Sequence, residues 1–154
     1  MDANKPLSAE SGPRYLDWRG ELLAKLALSR LPGITVVPQP MNGRFDFEVA
    51  AGTKVRTLLE VKSFSSIREK IREIESIQQL RWRVPTTFLR NAQSVRCPVV
   101  LFVFDADTGH GRYLRVDNIK IAPITARFQT VRLPIENTIT GASLRRMLKE
   151  LGNT

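Results

Sequence analysis

The sequence predicts an α/β domain in which a central mixed β-sheet is flanked by helices. Three observations point there. Residues 44–62 read as a hairpin of two alternating strands. Residues 98–104, PVVLFVF, form a continuous apolar run, as a strand covered on both faces requires. Residues 14–31, 66–83 and 143–151 carry helical patterning. With 154 residues the chain suits one domain, placed over 14–154. The opening MDANKPLSAESGPR has no apolar centre, so residues 1–13 read as a disordered lead-in and not as a secretory signal.

Residues 14–31 hold Leu16, Leu22, Leu23, Leu26, Ala27 and Leu28, more than one narrow stripe, so this helix is expected to be largely buried. Pro32-Gly33 stops it, Ile34–Val37 is a short strand, and Pro38–Gly43 is a loop with a Met-Asn-Gly turn. In 44–50 Phe45, Phe47 and Val49 are expected on one face, with Arg44, Asp46 and Glu48 on the other. A turn over 51–54 returns the chain as strand 55–62. The Ile67, Ile71, Ile74, Ile77, Leu80 spacing predicts a helix over 66–83, ended by Pro85. After the apolar strand come a turn over 105–111, a strand over 112–116 and a last strand at VRLPI. Ser143 is the expected cap of the C-terminal helix, and Gly152 follows its end.

Composition narrows the function. Hydrophobic residues make up 42% and charged residues 25%, which argues against a disordered or fibrous protein. No apolar run approaches the roughly 20 residues of a membrane helix, so no membrane partner is expected. The single cysteine, Cys97, excludes an intrachain disulfide and a Cys-rich zinc site. Cys97 is expected to be a small buried residue, and the chain to be cytoplasmic. Lys and Arg number 24 against 15 Asp and Glu, a net charge of +9. Such a surface suits a polyanion, nucleic acid foremost.

The hairpin carries the chemistry. Asp46 and Glu60 are equidistant from Thr53, so symmetric pairing sets them opposite each other on one face, with Lys62 beside them. Two adjacent carboxylates repel unless a cation or proton lies between them. Carboxylate oxygens suit Mg²⁺ or Mn²⁺, and the Val61 carbonyl could add a ligand. Glu48 shares the face of Asp46 and is an alternative or auxiliary ligand. The bland reading is a solvated strand face with a surface Asp46–Lys62 ion pair. For Glu21 it is a helix-surface pair with Lys25.

The order of these residues resembles the PD-(D/E)XK nuclease superfamily: an acid in the first helix, Glu21 in WRGELLAKLAL; an acid at a hairpin, Asp46 in GRFDFEV; then Glu60-Val61-Lys62 in LLEVKS. A small bacterial branch with a "G-x-E" helix, a "V-K-S" strand and a "PVVLFV" strand is closest, over roughly residues 14–150. Phe45 stands where the superfamily name has Pro, and that branch often has Gln at the place of Glu60. The resemblance implies a three-layer restriction-endonuclease-like core. It implies Mg²⁺- or Mn²⁺-dependent hydrolysis of DNA, with Asp46 and Glu60 as ligands, Glu21 assisting and Lys62 positioning the attacking water. Restriction, repair, recombination or mobile-element defence are the implied settings, with a homodimer or partner protein for target selection. RNA stays open as substrate. Some relatives add a Gln from the following helix, so Gln78 and Gln79 are auxiliary candidates.

Arg44, Ser63, Arg68, Lys70, Arg72, Arg81 and Arg83 are the candidate nucleic-acid contacts. Ser63 is equally a strand-end cap, and Trp82 a structural anchor or a base-stacking residue. Asp105, Asp107 and His110 in FDADTGHG are read as turn chemistry before a metal site. The alternative to an enzyme is a non-catalytic nucleic-acid- or partner-binding module on the same fold.

Overall fold

The computed structural model describes residues 6–8, 15–39, 44–123 and 125–152. Most of the lead-in and the Met41-Asn42-Gly43 turn lie outside them. Residues 6–8 correct the expectation for their part of the lead-in: Leu7 is buried and bridges to Trp82. The element order is α1 (Tyr15–Ser29), β1 (Ile34–Pro38), β2 (Phe47–Ala51), β3 (Lys54–Phe64), β4 (Gln79–Pro85), α2 (Thr86–Ser94), β5 (Val99–Asp105), β6 (Gly111–Arg115), β7 (Phe128–Pro134) and α3 (Gly141–Gly152).

A mixed five-stranded sheet of order β1-β2-β3-β5-β6 forms the centre, as the sequence predicts. Only the β3–β5 pairing is parallel. All seven residues of β5 are buried, because its two faces enter two different cores. On one face Val100, Phe102 and Phe104 meet α1 and α3. On the other, Val99, Leu101 and Val103 meet α2 and a two-stranded β4–β7 sheet. The molecule therefore has three layers, and the third is largely strand.

That layer corrects the expected helix over 66–83. Residues 66–73 run through turns, with Lys70 and Glu73 at positive φ, where a right-handed helix cannot continue. One 3-10 turn follows at Ile74–Ser76, and then β4. In β4 Leu80, Trp82 and Val84 point inward, while Arg81 and Arg83 are half-buried on the other side. Pro85 thus ends a strand and precedes α2, a helix the sequence reading lacks. Trp82 is an anchor, 1% exposed, but of a strand rather than a helix end.

Smaller corrections follow the same logic. Residues 44–46 bend instead of extending β2, so Phe45 enters the β4–β7 core while Phe47 and Val49 enter the helical one. Helix α1 buries Leu16, Gly20, Ala24 and Leu28 but leaves Tyr15, Trp18, Leu22 and Leu26 exposed. The cap of α3 is Thr140: its hydroxyl takes the Ser143 amide at 3.0 Å, and Ser143 Oγ takes the Thr140 amide at 2.8 Å. Cys97 is half-buried.

Gly20 lets α1 approach β3 closely. A Cβ there would lie 2.9 Å from Ser63 Oγ and 3.0 Å from Ser63 Cβ. The Ser63 hydroxyl itself donates to the Leu16 carbonyl of α1. Gly20→Ala is expected to cost about 1–3 kcal/mol, the ordinary penalty for overpacking, and to push Glu21 away from β3. Urea denaturation reads the first effect; an unchanged midpoint would contradict the close approach.

Candidate active site

The site forms where β2 and β3 part. The pairs Phe47↔Leu59, Glu48↔Leu58 and Val49↔Thr57 keep the symmetric register expected about Thr53, and a bulge near Ala50 absorbs the odd residue before the turn. Asp46 lies one residue beyond the last pair. Its amide donates to the Leu59 carbonyl at 3.0 Å, and its carbonyl accepts from Gln39 at 2.9 Å. Its Oδ2 accepts the Val61 amide at 2.7 Å. The carboxylate thus replaces the missing ladder partner of β3, while the main chain of Asp46 is held on both sides.

Glu60 and Lys62 alternate with Val61 along β3 and face the β4–β7 layer. Lys62 Nζ lies 3.1 Å from Glu60 Oε1. Both line a cleft of about 360 Å³. Burial pushes the Glu60 carboxyl up to about 7, with Lys62 opposing and Asp46 adding to the rise. Asp46 is also raised, chiefly by burial, against the Val61 amide and Lys62. Its carboxyl is within hydrogen-bonding reach of Glu60. Glu21 is raised by burial and then by Asp46, so the helix acid feels the strand acids. Burial alone would lower Lys62, but Glu60, Asp46 and Asp17 together offset it and the ammonium is held above its ordinary value.

A pH dependence follows. Between the ordinary 4.5 and the folded value of about 7, native Glu60 holds a proton that the unfolded chain has released. Stability from this group therefore falls as pH rises through that window, by up to about 3 kcal/mol. His110, held below its ordinary 6.5 by burial and Arg112, acts in the opposite sense as pH falls below 6.5. The difference between the native protein and Glu60→Gln isolates the first effect. Denaturation at pH 5 and pH 7.5 should show Glu60→Gln gaining relative stability at the higher pH, and equal slopes would refute it.

Among the described residues, no group of three or more His, Cys, Asp or Glu is gathered so as to hold a metal ion. The donors that do converge are the two carboxylates of Asp46 and Glu60. A strand residue turns its N–H and C=O to the same edge, so the Val61 carbonyl lies on the side of Asp46. Two carboxylates and a carbonyl, with room for water and phosphate, fit Mg²⁺ or Mn²⁺. Burial is the chief cause of the raised carboxyls, and a cation held between them would lower both.

The other expected residues divide. Arg44 and Arg83 line the cleft with Glu60 and Lys62. Ser63 does not, since its buried hydroxyl is committed to α1. Glu48 opens instead on a separate pocket with Lys54, Arg56 and Cys97. Gln78 gives its carbonyl to Ile135, and Gln79 begins β4; neither lines the cleft. Arg68, Lys70 and Arg72 are exposed in the turns before β4, and Arg81 is on β4; none of the four lines the cleft. Asp105 and Asp107 do turn chemistry. Asp105 takes the Ser66 amide and the Thr108 hydroxyl, while Asp107 takes the Ser65 hydroxyl and the Ile67 amide, fastening the exit of β3.

Sequence reasoning missed the opposite wall of the cleft, which includes Thr87, Phe88 and Asn91 of α2 and Phe128 of β7. The Pro85-Thr86-Thr87 start of α2 was the available signal.

No protein-family model and no curated protein sequence matches the chain. Among solved structures, the chain is similar to a nuclease from a fusselovirus, with 12% identity over 91% of this chain and 92% of that one and a TM-score of 0.49. This is a distant likeness in the course of the backbone.

Proposed function

We propose that the chain is a metal-dependent nuclease of the PD-(D/E)XK type that hydrolyses DNA phosphodiesters. The observation that carries this reading is the grouping of Asp46, Glu60 and Lys62 where β2 and β3 separate: Lys62 Nζ lies 3.1 Å from Glu60 Oε1, Asp46 Oδ2 takes the amide of Val61 between them, and Glu60 is raised to about 7. A solvated strand face would leave Glu60 exposed and ordinary; it is 9% exposed.

Asp46 and Glu60 would hold Mg²⁺ or Mn²⁺, with the Val61 carbonyl beside them. When bound, the cation supplies Lewis acidity to the phosphodiester and makes a water a better nucleophile. Lys62 keeps its proton beside Glu60 and is placed to orient that water or to meet the charge growing on the phosphate. Glu21 acts through Asp46, by its charge and by its place on α1. Arg44 and Arg83 supply cations for the flanking phosphates.

The test incubates purified protein with supercoiled plasmid, single-stranded DNA, branched DNA and RNA, in Mg²⁺, Mn²⁺ or EDTA. Metal-dependent cutting is expected. Salt-sensitive binding without cutting on any substrate would overturn the enzyme reading in favour of a binding module.

A further inference from the structure

The lining of the cleft narrows the substrate, on the reading that it is the nuclease site. Glu60 is 9% exposed and lines the cleft together with Lys62. A base paired within a duplex presents only its edge to a protein, whereas an unpaired base presents its flat face for stacking.

The walls fit the rest of a nucleotide. Arg83 lays its guanidinium 4.0 Å over the ring of Phe128, making a flat cationic layer at one side. Phe88 is held edge-on by Phe45, with ring centroids 6.2 Å apart at 67°. Phe45 adjoins Asp46, so this wall is built on the same bend as the metal-ligand candidate. Asn91 and Thr87 add groups able to bond a base edge. A cleft that served phosphate alone would need cations and no aromatic rings. Flat apolar surfaces beside Arg44, Lys62 and Arg83 match a base attached to a phosphate.

We propose that this cleft takes an unpaired nucleotide, its base stacked against the Arg83–Phe128 layer and Phe88, so that the protein acts on single-stranded or locally unpaired DNA rather than on intact duplex.

The experiment follows a short single strand carrying 2-aminopurine, and the same sequence as duplex, titrated with the full chain in Ca²⁺ and in EDTA. Stacking is expected to quench the fluorophore in the single strand, which binds more tightly than the duplex. Phe128→Leu is expected to lower the single-strand preference by roughly 5- to 150-fold, the range for losing one aromatic stacking partner. Phe128→Trp, which restores a ring, is expected to keep it. Thermal unfolding of both variants checks that β7 still forms, and agreement between them guards against a folding artefact. Tighter binding of the duplex, or a preference that Phe128→Leu leaves unchanged, would overturn the proposal. Cleavage in Mg²⁺ is scored separately. Quenching with no cutting would sink the nuclease reading and leave this one standing; cutting of intact duplex as fast as of single strands would do the reverse.

Discussion

Lys62→Ala is expected to slow metal-dependent cleavage by roughly 10²–10³-fold, the loss typical of removing one preorganised charge-stabilising donor. Substrate affinity should change far less, because Arg44 and Arg83 remain at the cleft. The variant carries a second signature. Lys62 is the main group opposing the rise of Glu60, and it lies 3.1 Å from Oε1. Without it Glu60 keeps its proton to higher pH, so residual activity should demand more alkaline conditions. Lys62→Arg restores the charge but not the compact ammonium. It is expected to return the pH profile toward the native one while the rate stays low. Plasmid-nicking rates across pH 6–9 read both effects. Cutting by Lys62→Ala at the native rate would remove Lys62 from the mechanism.

Arg112→Ala is expected to be the most destabilising single change, at about 3–5 kcal/mol, the scale for stripping a buried charged partner from its hydrogen bonds. Arg112 has no exposed surface. Its Nε donates to His110 Nε2 at 3.0 Å, one Nη to the Leu133 carbonyl at 3.2 Å and the other to the Ile74 carbonyl at 3.1 Å. One side chain on β6 thereby ties β7 and the 3-10 turn before β4 to the central sheet. Truncation takes one donor from each of those acceptors and opens a cavity. Arg112→Met fills much of the volume without the donors and should recover only part of the loss. Urea denaturation midpoints decide it. A loss below about 1 kcal/mol for Arg112→Ala would mean that water or neighbouring groups replace the guanidinium.

The local part of this fold was legible in the residues. The hairpin register near Asp46 and Glu60, the doubly covered β5 and the C-terminal helix all follow from patterns spanning a few residues. What failed was non-local. The Ile67–Leu80 spacing fits a helix, yet Gln79–Val84 also alternate strictly, and only the β7 strand decides between the two readings. That partner begins at Phe128, far along the chain, with Trp82 facing Val131. The candidate site divides in the same way. Its two ligand candidates, Asp46 and Glu60, come from one hairpin and were visible together. Its aromatic wall comes from α2 and β7, which sequence spacing does not bring near β3. Ser63 was open between a phosphate contact and a strand-end cap, and the contact that fixes it is non-local: Gly20 lets α1 approach, and the Leu16 carbonyl takes the hydroxyl.

The parallel pairing of β3 with β5 sets the order of events as the chain folds. Leu58 pairs with Glu48 on one side and Val99 on the other, while Lys62, beyond the end of β2, pairs with Val103. The hairpin can close early because its contacts are local, but closing the long loop to β5 has an entropic cost before its contacts form. Glu60 faces the β4–β7 layer, whose Trp82, Arg83 and Phe128 line the cleft with it. Burial is the main cause of its raised carboxyl, so that shift belongs to the assembled layers and not to the hairpin alone. A newly made chain carries all the acids of the site after its first 62 residues, but gains their shifted chemistry only once those layers have assembled.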